Sequence, residues 1–427
     1  MSNEEIVYPK YEGRSDRLKL DRLHEFWIVP WYFCNIRCNH CYTIDQVMHN
    51  RNFLPTQTVK DIIDEAKRLG TEVFYITGGE PLIRRDIWEL IQHVTTDRKL
   101  ILFTNGTLFT EELVEKMAQV KDRLIVQISI EGHNEETNST LREEGNFEKS
   151  MAGLRMVLRR GIRVGVSSTP TELTRESVSL LTRLLCSLEE SGRKVEYHHL
   201  IMALDEGAYL EDAEQKKLNS AGFVEILERC VQEANKGKKE FGSSLKITNK
   251  KIFDACAGNG PKKDLCGSGY TILGVDAEGN LKSCAATIHD PKYNLGKLVD
   301  DSNNYIPGSI ENLWRNGKKT QWLREFTLAK REENDDLRYF HGGGCWYNMS
   351  DPESEFSESH GFAEAYEEYM LRSILNAAVK GAGKELESEF PVVISHQHRS
   401  RIACAGSRKT KDDSEFGLDL GYCICFA

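Results

Sequence analysis

The segment WYFCNIRCNHCY, residues 31–42, sets Cys34, Cys38 and Cys41 in the spacing C-x3-C-x2-C. Three thiols at these gaps cannot all pair with one another. Thiolate sulfur is a soft ligand, suited to iron–sulfur clusters and to zinc. A closed zinc site takes four ligands, usually as two pairs, so zinc would need a distant fourth ligand or His40 from the same loop. A four-iron cluster on three cysteines instead keeps one iron open to a substrate or cofactor. Spacing alone leaves both readings standing.

Other residues of chemical interest are spread along the chain. The stretch YITGGEPLIRRDI (75–87) places Gly78, Gly79, Glu80 and Pro81 just past a strand-like run. Glycine lets the backbone approach a ligand closely, and Glu80 offers an anion for an ammonium group; an ordinary turn reads the same way in isolation. Cys256, Cys266, Cys284 and Cys345 fall among short strands and turns, the last after three glycines in FHGGGCWYNM (340–349). His198 and His199 adjoin in VEYHHLIM (195–202) and must face opposite sides of a strand. At most one points inward, to bind substrate or to exchange a proton, and the alternative is a hydrogen-bonded histidine in the wall. Asp205 and Glu206 follow at the strand end. Cys404, Cys423 and Cys425 lie near the end of the chain; a thiol such as Cys425 could donate a hydrogen atom, or be a plain surface or buried cysteine. Cys186 and Cys230 lie in helical patterns and read as buried apolar residues.

The elements that must position these residues follow from hydrophobic patterning. Strand-like runs at 26–31, 72–77, 99–104, 124–130, 162–168 and 195–202 alternate with amphipathic stretches such as 58–70 and 147–161. Strands apolar on both faces, each followed by a helix, imply a parallel sheet covered by helices. Periodicity does not separate a partial barrel from a doubly wound sheet. Residues 206–240 read as a charged helical segment. VDAEGNLKSC (275–284) reads as a hairpin turning at 278–280, with Gly279 in the tight turn.

The chain has 427 residues, which predicts two or three domains. A formal charge of −10 and a pI near 5.8 argue against nucleic-acid binding by broad phosphate neutralisation. The charged N-terminus has no apolar signal core, and no apolar run approaches the length of a membrane span. The expected location is therefore the cytoplasm, where the 12 cysteines point to metal or catalysis rather than to disulfides.

Taken together, these motifs resemble the radical S-adenosylmethionine (SAM) superfamily over roughly residues 25–205. The C-x3-C-x2-C loop follows the first strand, GGEP the second and FTNGT (103–107) the third; ISIEG (128–132) ends the fourth, and LREEGNF (141–147) follows it. The resemblance implies an α/β chain: a partial (β/α)6 TIM barrel over 25–240 after an N-terminal segment, 1–24. It implies that Cys34, Cys38 and Cys41 hold a 4Fe–4S cluster whose fourth iron binds SAM through its amino and carboxylate groups. One electron then breaks a C–S bond of the sulfonium, and the resulting 5′-deoxyadenosyl radical abstracts hydrogen from carbon. Gly78, Gly79 and Glu80 would hold the SAM amino group, Ser129 and Arg142 its ribose and carboxylate, with Asn105 nearby and Tyr42 beside the adenine.

Residues 250–350 resemble the SPASM extension, or its shorter twitch form. By that resemblance Cys256, Cys266, Cys284 and Cys345 ligate one auxiliary 4Fe–4S cluster; the alternative is a zinc knuckle. His341 stands where a full SPASM module has a further cysteine, and two more before it are missing, so a second auxiliary cluster is not expected. Ala285 follows Cys284 where sulfatase-maturing relatives place an acid. A helical C-terminal extension and tail, 351–427, completes the expected architecture.

These features predict a radical SAM enzyme that oxidises, cross-links or epimerises a ribosomal precursor peptide, supplied with electrons by a flavodoxin- or ferredoxin-type donor. A small-molecule dehydrogenase or epimerase acting on a sugar or aminocyclitol is the alternative. A metal-binding or redox-sensing scaffold that leaves SAM intact is the alternative of another class.

Overall fold

The computed structural model describes residues 22–201, 207–209, 216, 218, 220–248 and 267–324. Strands β1 (Glu25–Ile28), β2 (Val73–Ile76), β3 (Lys99–Thr104), β4 (Leu124–Ser129), β5 (Arg163–Ser168) and β6 (Tyr197–Leu200) pair in chain order, all parallel. A doubly wound sheet reverses its order at a switch point. These six strands do not, so their pairing is that of a barrel wall. The helices are α1 (Ile44–His49), α2 (Thr56–Arg68), α3 (Ile87–Thr95), α4 (Glu111–Ala118), α5 (Glu135–Ser139), α6 (Asn146–Arg159), α7 (Ser177–Ser187), α8 (Ser220–Phe241) and α9 (Ser309–Asn316).

Alternation along each strand sorts the core into two layers. Phe26, Ile28, Phe74, Ile76, Leu100, Leu102, Leu124 and Val126 face the helices. Their neighbours Trp27, Val73, Tyr75, Ile101, Phe103 and Ile125 fill the barrel interior. There Trp27 stacks on Tyr75 with ring centroids 4.1 Å apart, a contact worth about 1 kcal/mol beyond its area. Helix α2 meets the outer layer through Val59, Ile62, Ile63 and Ala66, the spacing of one helical face. Thr110 caps α4 by accepting the Leu113 N–H. Cys186 and Cys230 are fully buried in the outer layer, in agreement with their apolar reading. Gly237 of α8 permits a close crossing over α7, since a Cβ there would lie 2.5 Å from Cys186 Sγ.

Strand β7 (Lys246–Thr248) adds parallel to β6, and β8 (Ile272–Val275) adds parallel to β1. β9 (Asn280–Lys282) and β10 (Gly296–Lys297) continue antiparallel. The expected hairpin is present: Gly279 has φ 76°, and Asp276 Oδ1 accepts the N–H groups of Glu278 at 3.0 Å and Asn280 at 2.8 Å. Its attachment is what periodicity does not reveal, for β8 extends the barrel's own sheet past β1. Residues 351–427, and with them the expected extension, lie outside the described residues. No helix among the described residues is long and apolar enough to cross a membrane.

Candidate active site

The loop between β1 and α1 carries Cys34, Cys38 and Cys41 to the C-terminal end of the strands, where parallel α/β folds place their sites. The three thiols are free and partly exposed, and all line one cavity with Gly78, Gly79, Ser129 and Arg142. Hydrogen bonds to its backbone carbonyls help to hold the loop. Arg37 Nη1 donates to Cys34 O at 2.8 Å and Asn39 N–H to Leu141 O at 2.8 Å. From beyond the sixth strand, Ala208 N–H donates to Cys41 O at 3.0 Å and Lys216 Nζ to Asn39 O at 2.9 Å.

Burial pushes the Cys34 thiol up to about 11, Cys38 up to about 12 and Cys41 upward as well. Three thiols so placed become thiolates only beside strong positive charge, which is what bound metal supplies. Among the described residues no three His, Cys, Asp or Glu side chains converge closely enough to hold a single ion. Three soft sulfurs set around a cavity wall fit a bulkier iron–sulfur group. His40, the fourth ligand of the zinc alternative, instead sets Nε2 3.3 Å from Glu131 Oε1.

The GGEP loop follows β2 and runs against the chain leading into Cys34. A Cβ on Gly78 would lie 2.4 Å from Trp31 O, and one on Gly79 2.1 Å from Phe33 O. Gly78 also has φ 136°. The cysteine loop's own backbone therefore requires glycine at both positions. Glu80 N–H donates to Phe33 O at 2.7 Å. The Glu80 carboxylate is fully buried and turned to internal donors: Leu82 N–H at 2.9 Å, Thr104 Oγ1 at 2.7 Å and Asn105 N–H at 2.7 Å. Burial raises it to about 7 against the pull of these three. Asn105 lines the cavity, but its side chain joins the cysteine loop to β3 by donating to Asn35 Oδ1 at 2.9 Å and accepting from Thr107.

Ser129, at the end of β4, lies 3.4 Å from Ser167 Oγ on β5, and both line the cavity. Arg142, 8% exposed, donates to Glu131 Oε1 through Nη2 at 2.8 Å and directs Nη1 to Cys38 Sγ at 3.6 Å. Glu131 was not singled out by spacing, although ISIEG contains it; an acid just past a strand end is the signal that sequence offers. Burial alone would raise its carboxyl, yet His40 and Arg142 hold it down to about 2.

The histidine pair divides as a strand requires. His198 faces the helices, with Ser168 Oγ at 2.8 Å and Thr182 Oγ1 of α7 at 2.9 Å, and burial lowers it to about 3. His199 is on the inner side, in register with Ser167 and Thr248, and its Nδ1 lies 2.9 Å from Thr248 Oγ1. Tyr42 lines the cavity and meets the His289 ring edge-on at 5.0 Å. Cys284 is 6% exposed, just before a turn that docks on the cysteine loop; there Tyr32 OH donates to Ile288 O at 3.2 Å. Asp205, Glu206, Cys256, Cys266, Cys345 and Cys425 lie outside the described residues. A wider polar cavity opens at the opposite end of the strands, lined by Arg22, Glu72, Asp97, Arg98 and Arg123, with no cysteine or histidine in its wall.

Residues 28–179 match the family described as the Radical SAM superfamily. The chain is 30% identical to the mycofactocin maturase MftC of Mycolicibacterium smegmatis over 302 residues, covering 69% of this chain and 70% of that protein. In fold it is similar to Streptococcus suis SuiB bound to precursor peptide SuiA, with a TM-score of 0.60 at 17% identity, covering 78% of this chain and 74% of that one. It is also similar to native anSMEcpe with bound AdoMet, with a TM-score of 0.63 at 15% identity, covering 84% of this chain and 100% of that one.

Proposed function

This chain belongs to the radical SAM superfamily, and we propose that it is a peptide maturase: an enzyme that modifies a ribosomally made precursor peptide at the C-terminal mouth of its barrel. Cys34, Cys38 and Cys41 would hold the 4Fe–4S cluster that binds SAM. The observation that carries this reading is the meeting of the three thiols with Gly78, Gly79, Ser129 and Arg142 around one cavity. Similarity to a mycofactocin maturase over most of both chains supports the choice of a peptide over a sugar. Electrons come from a flavodoxin- or ferredoxin-type donor in the cytoplasm.

When bound, the cluster and SAM supply one-electron cleavage of the sulfonium and hydrogen abstraction from substrate carbon. The chain supplies position and dryness. Gly78, Gly79 and Glu80 would hold the SAM amino group, Arg142 its carboxylate and Ser129 its ribose, with Asn105 nearby and Tyr42 toward the adenine. The aromatic layer of Trp27, Tyr75 and Phe103 beneath the cavity keeps water from below. His199 is the inner-wall group offered to substrate. Cys284, with Cys256, Cys266 and Cys345, would hold the auxiliary cluster.

Anaerobic reconstitution tests the reading. The expected result is about eight irons per chain, from two clusters of four, and dithionite-dependent release of 5′-deoxyadenosine. Replacing Cys34, Cys38 and Cys41 by alanine should remove about half of the iron and all of the release. Zinc in place of iron, with SAM left intact, would refute it. Mass spectrometry of candidate peptides in deuterated water then reads the outcome: loss of two hydrogens means oxidation or cross-linking, and one solvent deuterium means epimerisation.

A further inference from the structure

Glu131 is 1% exposed, two residues past Ser129. Its Oε1 accepts from Arg142 Nη2 at 2.8 Å and Nε at 3.2 Å, and lies 3.3 Å from His40 Nε2. Its Oε2 accepts the Thr169 N–H from the end of β5 at 2.6 Å. One anion, anchored to the barrel wall, thus fixes two side chains that border the thiols. Arg142 reaches Cys38 Sγ, and His40 stands between Cys38 and Cys41 in the chain. Asn39 fastens the same loop to the turn before Arg142, donating through Nδ2 to Thr140 O at 3.1 Å.

A buried ion pair is weak evidence for stability, because desolvating two charges costs about as much as their attraction returns. Its placement here has another consequence. The potential of an iron–sulfur cluster responds to net charge nearby and to hydrogen bonds on its sulfurs. Arg142 supplies both a cation and an N–H directed at Cys38 sulfur, which favours the reduced cluster. Glu131 holds that N–H in place and offsets the charge. His40 Nδ1 has no hydrogen-bond partner among the described residues, in a side chain that lines the cavity, so the same anion also orients a polar edge at the site.

We infer that Glu131 is a positioning residue: it fixes Arg142 and His40 beside the cysteine loop and, by offsetting the Arg142 charge, sets the potential at which the cluster accepts its electron. The inference rests on the reading that Cys34, Cys38 and Cys41 hold that cluster.

The test is an EPR-monitored redox titration of the reconstituted full-length protein in a Cys284→Ala background, which removes a ligand of the proposed auxiliary cluster. Glu131→Gln is close in shape, keeps one acceptor oxygen in place of two and loses the charge, so the potential should rise. Arg142→Met should lower it, the double variant should return towards the parent, and Glu131→Asp should stay nearer the parent than Glu131→Gln does. A charge with no bearing on the cluster would leave all four at the parent potential, and that result overturns the inference. If Glu131→Gln alone fails to load iron, the double variant compared with Arg142→Met decides: a higher potential in the double variant supports the inference, and an equal potential, or a double variant that also fails to load iron while Glu131→Asp matches the parent, overturns it. A parent without iron dependent on Cys34, Cys38 and Cys41 would instead sink the cluster reading itself.

Discussion

The two ends of the barrel hold ion pairs of equal length and opposite character. At the site end Arg142 Nη2 and Glu131 Oε1 are 2.8 Å apart, with side chains 9% and 1% exposed. At the far end Arg22 Nη1 and Glu72 Oε1 are also 2.8 Å apart, with side chains 55% and 49% exposed. Water screens the second pair, so it is worth at most about 1 kcal/mol. Breaking the first strands a charge in the interior, at a cost of about 3–5 kcal/mol. The far end also has the wider cavity, yet its wall offers no cysteine or histidine. Burial and chemistry, rather than contact distance or cavity size, mark which end is functional.

The strongest way to break that contrast is to disturb one glycine at each end. Gly79→Ala drives a methyl group into Phe33 O, 2.1 Å from the new Cβ. A carbonyl cannot rotate aside, so the chain leading into Cys34 must move. The expected outcome is loss of most of the first cluster's iron and of SAM cleavage, with destabilisation of about 1–3 kcal/mol. Gly161, just before β5, has φ 73° and no atom closer than 3.8 Å to an added Cβ. Gly161→Ala should cost only the backbone penalty of about 1–2 kcal/mol and keep its iron. Equal iron loss in both variants, measured after reconstitution, would refute the assignment of Gly79 to the cysteine loop.

A middle-sized effect separates two histidines. His198 is held neutral behind the site, lowered by burial to about 3 from an ordinary 6.5. Between those values the unfolded chain takes a proton that the folded chain refuses, so stability falls as pH drops below about 6.5. From pH 6.5 to pH 5 the loss from this residue is at most about 2 kcal/mol. His198→Gln should flatten that part of the profile in denaturant titrations. His24, at the other end, is also lowered by burial, but its pKa is moved less and it is only partly buried. His24→Gln should flatten the profile much less, and equal flattening would show that burial does not distinguish the two ends.

How far the sequence foretells this site depends on whether a residue's partner is near or far in the chain. The cysteine spacing is local and legible, and so are the strands, whose alternation encodes both core layers. Gly78 and Gly79 were legible as a close approach; that they also abut Trp31 and Phe33 is a contact that periodicity cannot register. Glu80 carries a charge that suggests an amine; only the fold shows that Thr104 and the Asn105 N–H also donate to it. Glu131 acquires its meaning from Arg142, His40 and Thr169, which the chain brings together from three separate loops. The hairpin at 275–284 was legible as a turn, whereas the pairing of β8 with β1 joins residues some 250 positions apart.

The smallest expected effect is the most direct comparison of the two ion pairs. Glu72→Gln removes the exposed carboxylate that faces Arg22. Because both side chains stay wetted, the change in unfolding free energy should be within about 1 kcal/mol. It should shrink further as salt rises past about 0.1 M, where the screening length falls to about 10 Å. Iron content should match the parent. Glu131→Gln, the same chemical change at the same contact distance, should destabilise more and keep its effect in salt, because ions do not reach a pair that is 1% and 9% exposed. Were the two variants to respond alike across salt, the Glu131 pair would be open to solvent, and its proposed influence on the cluster would lose its physical basis.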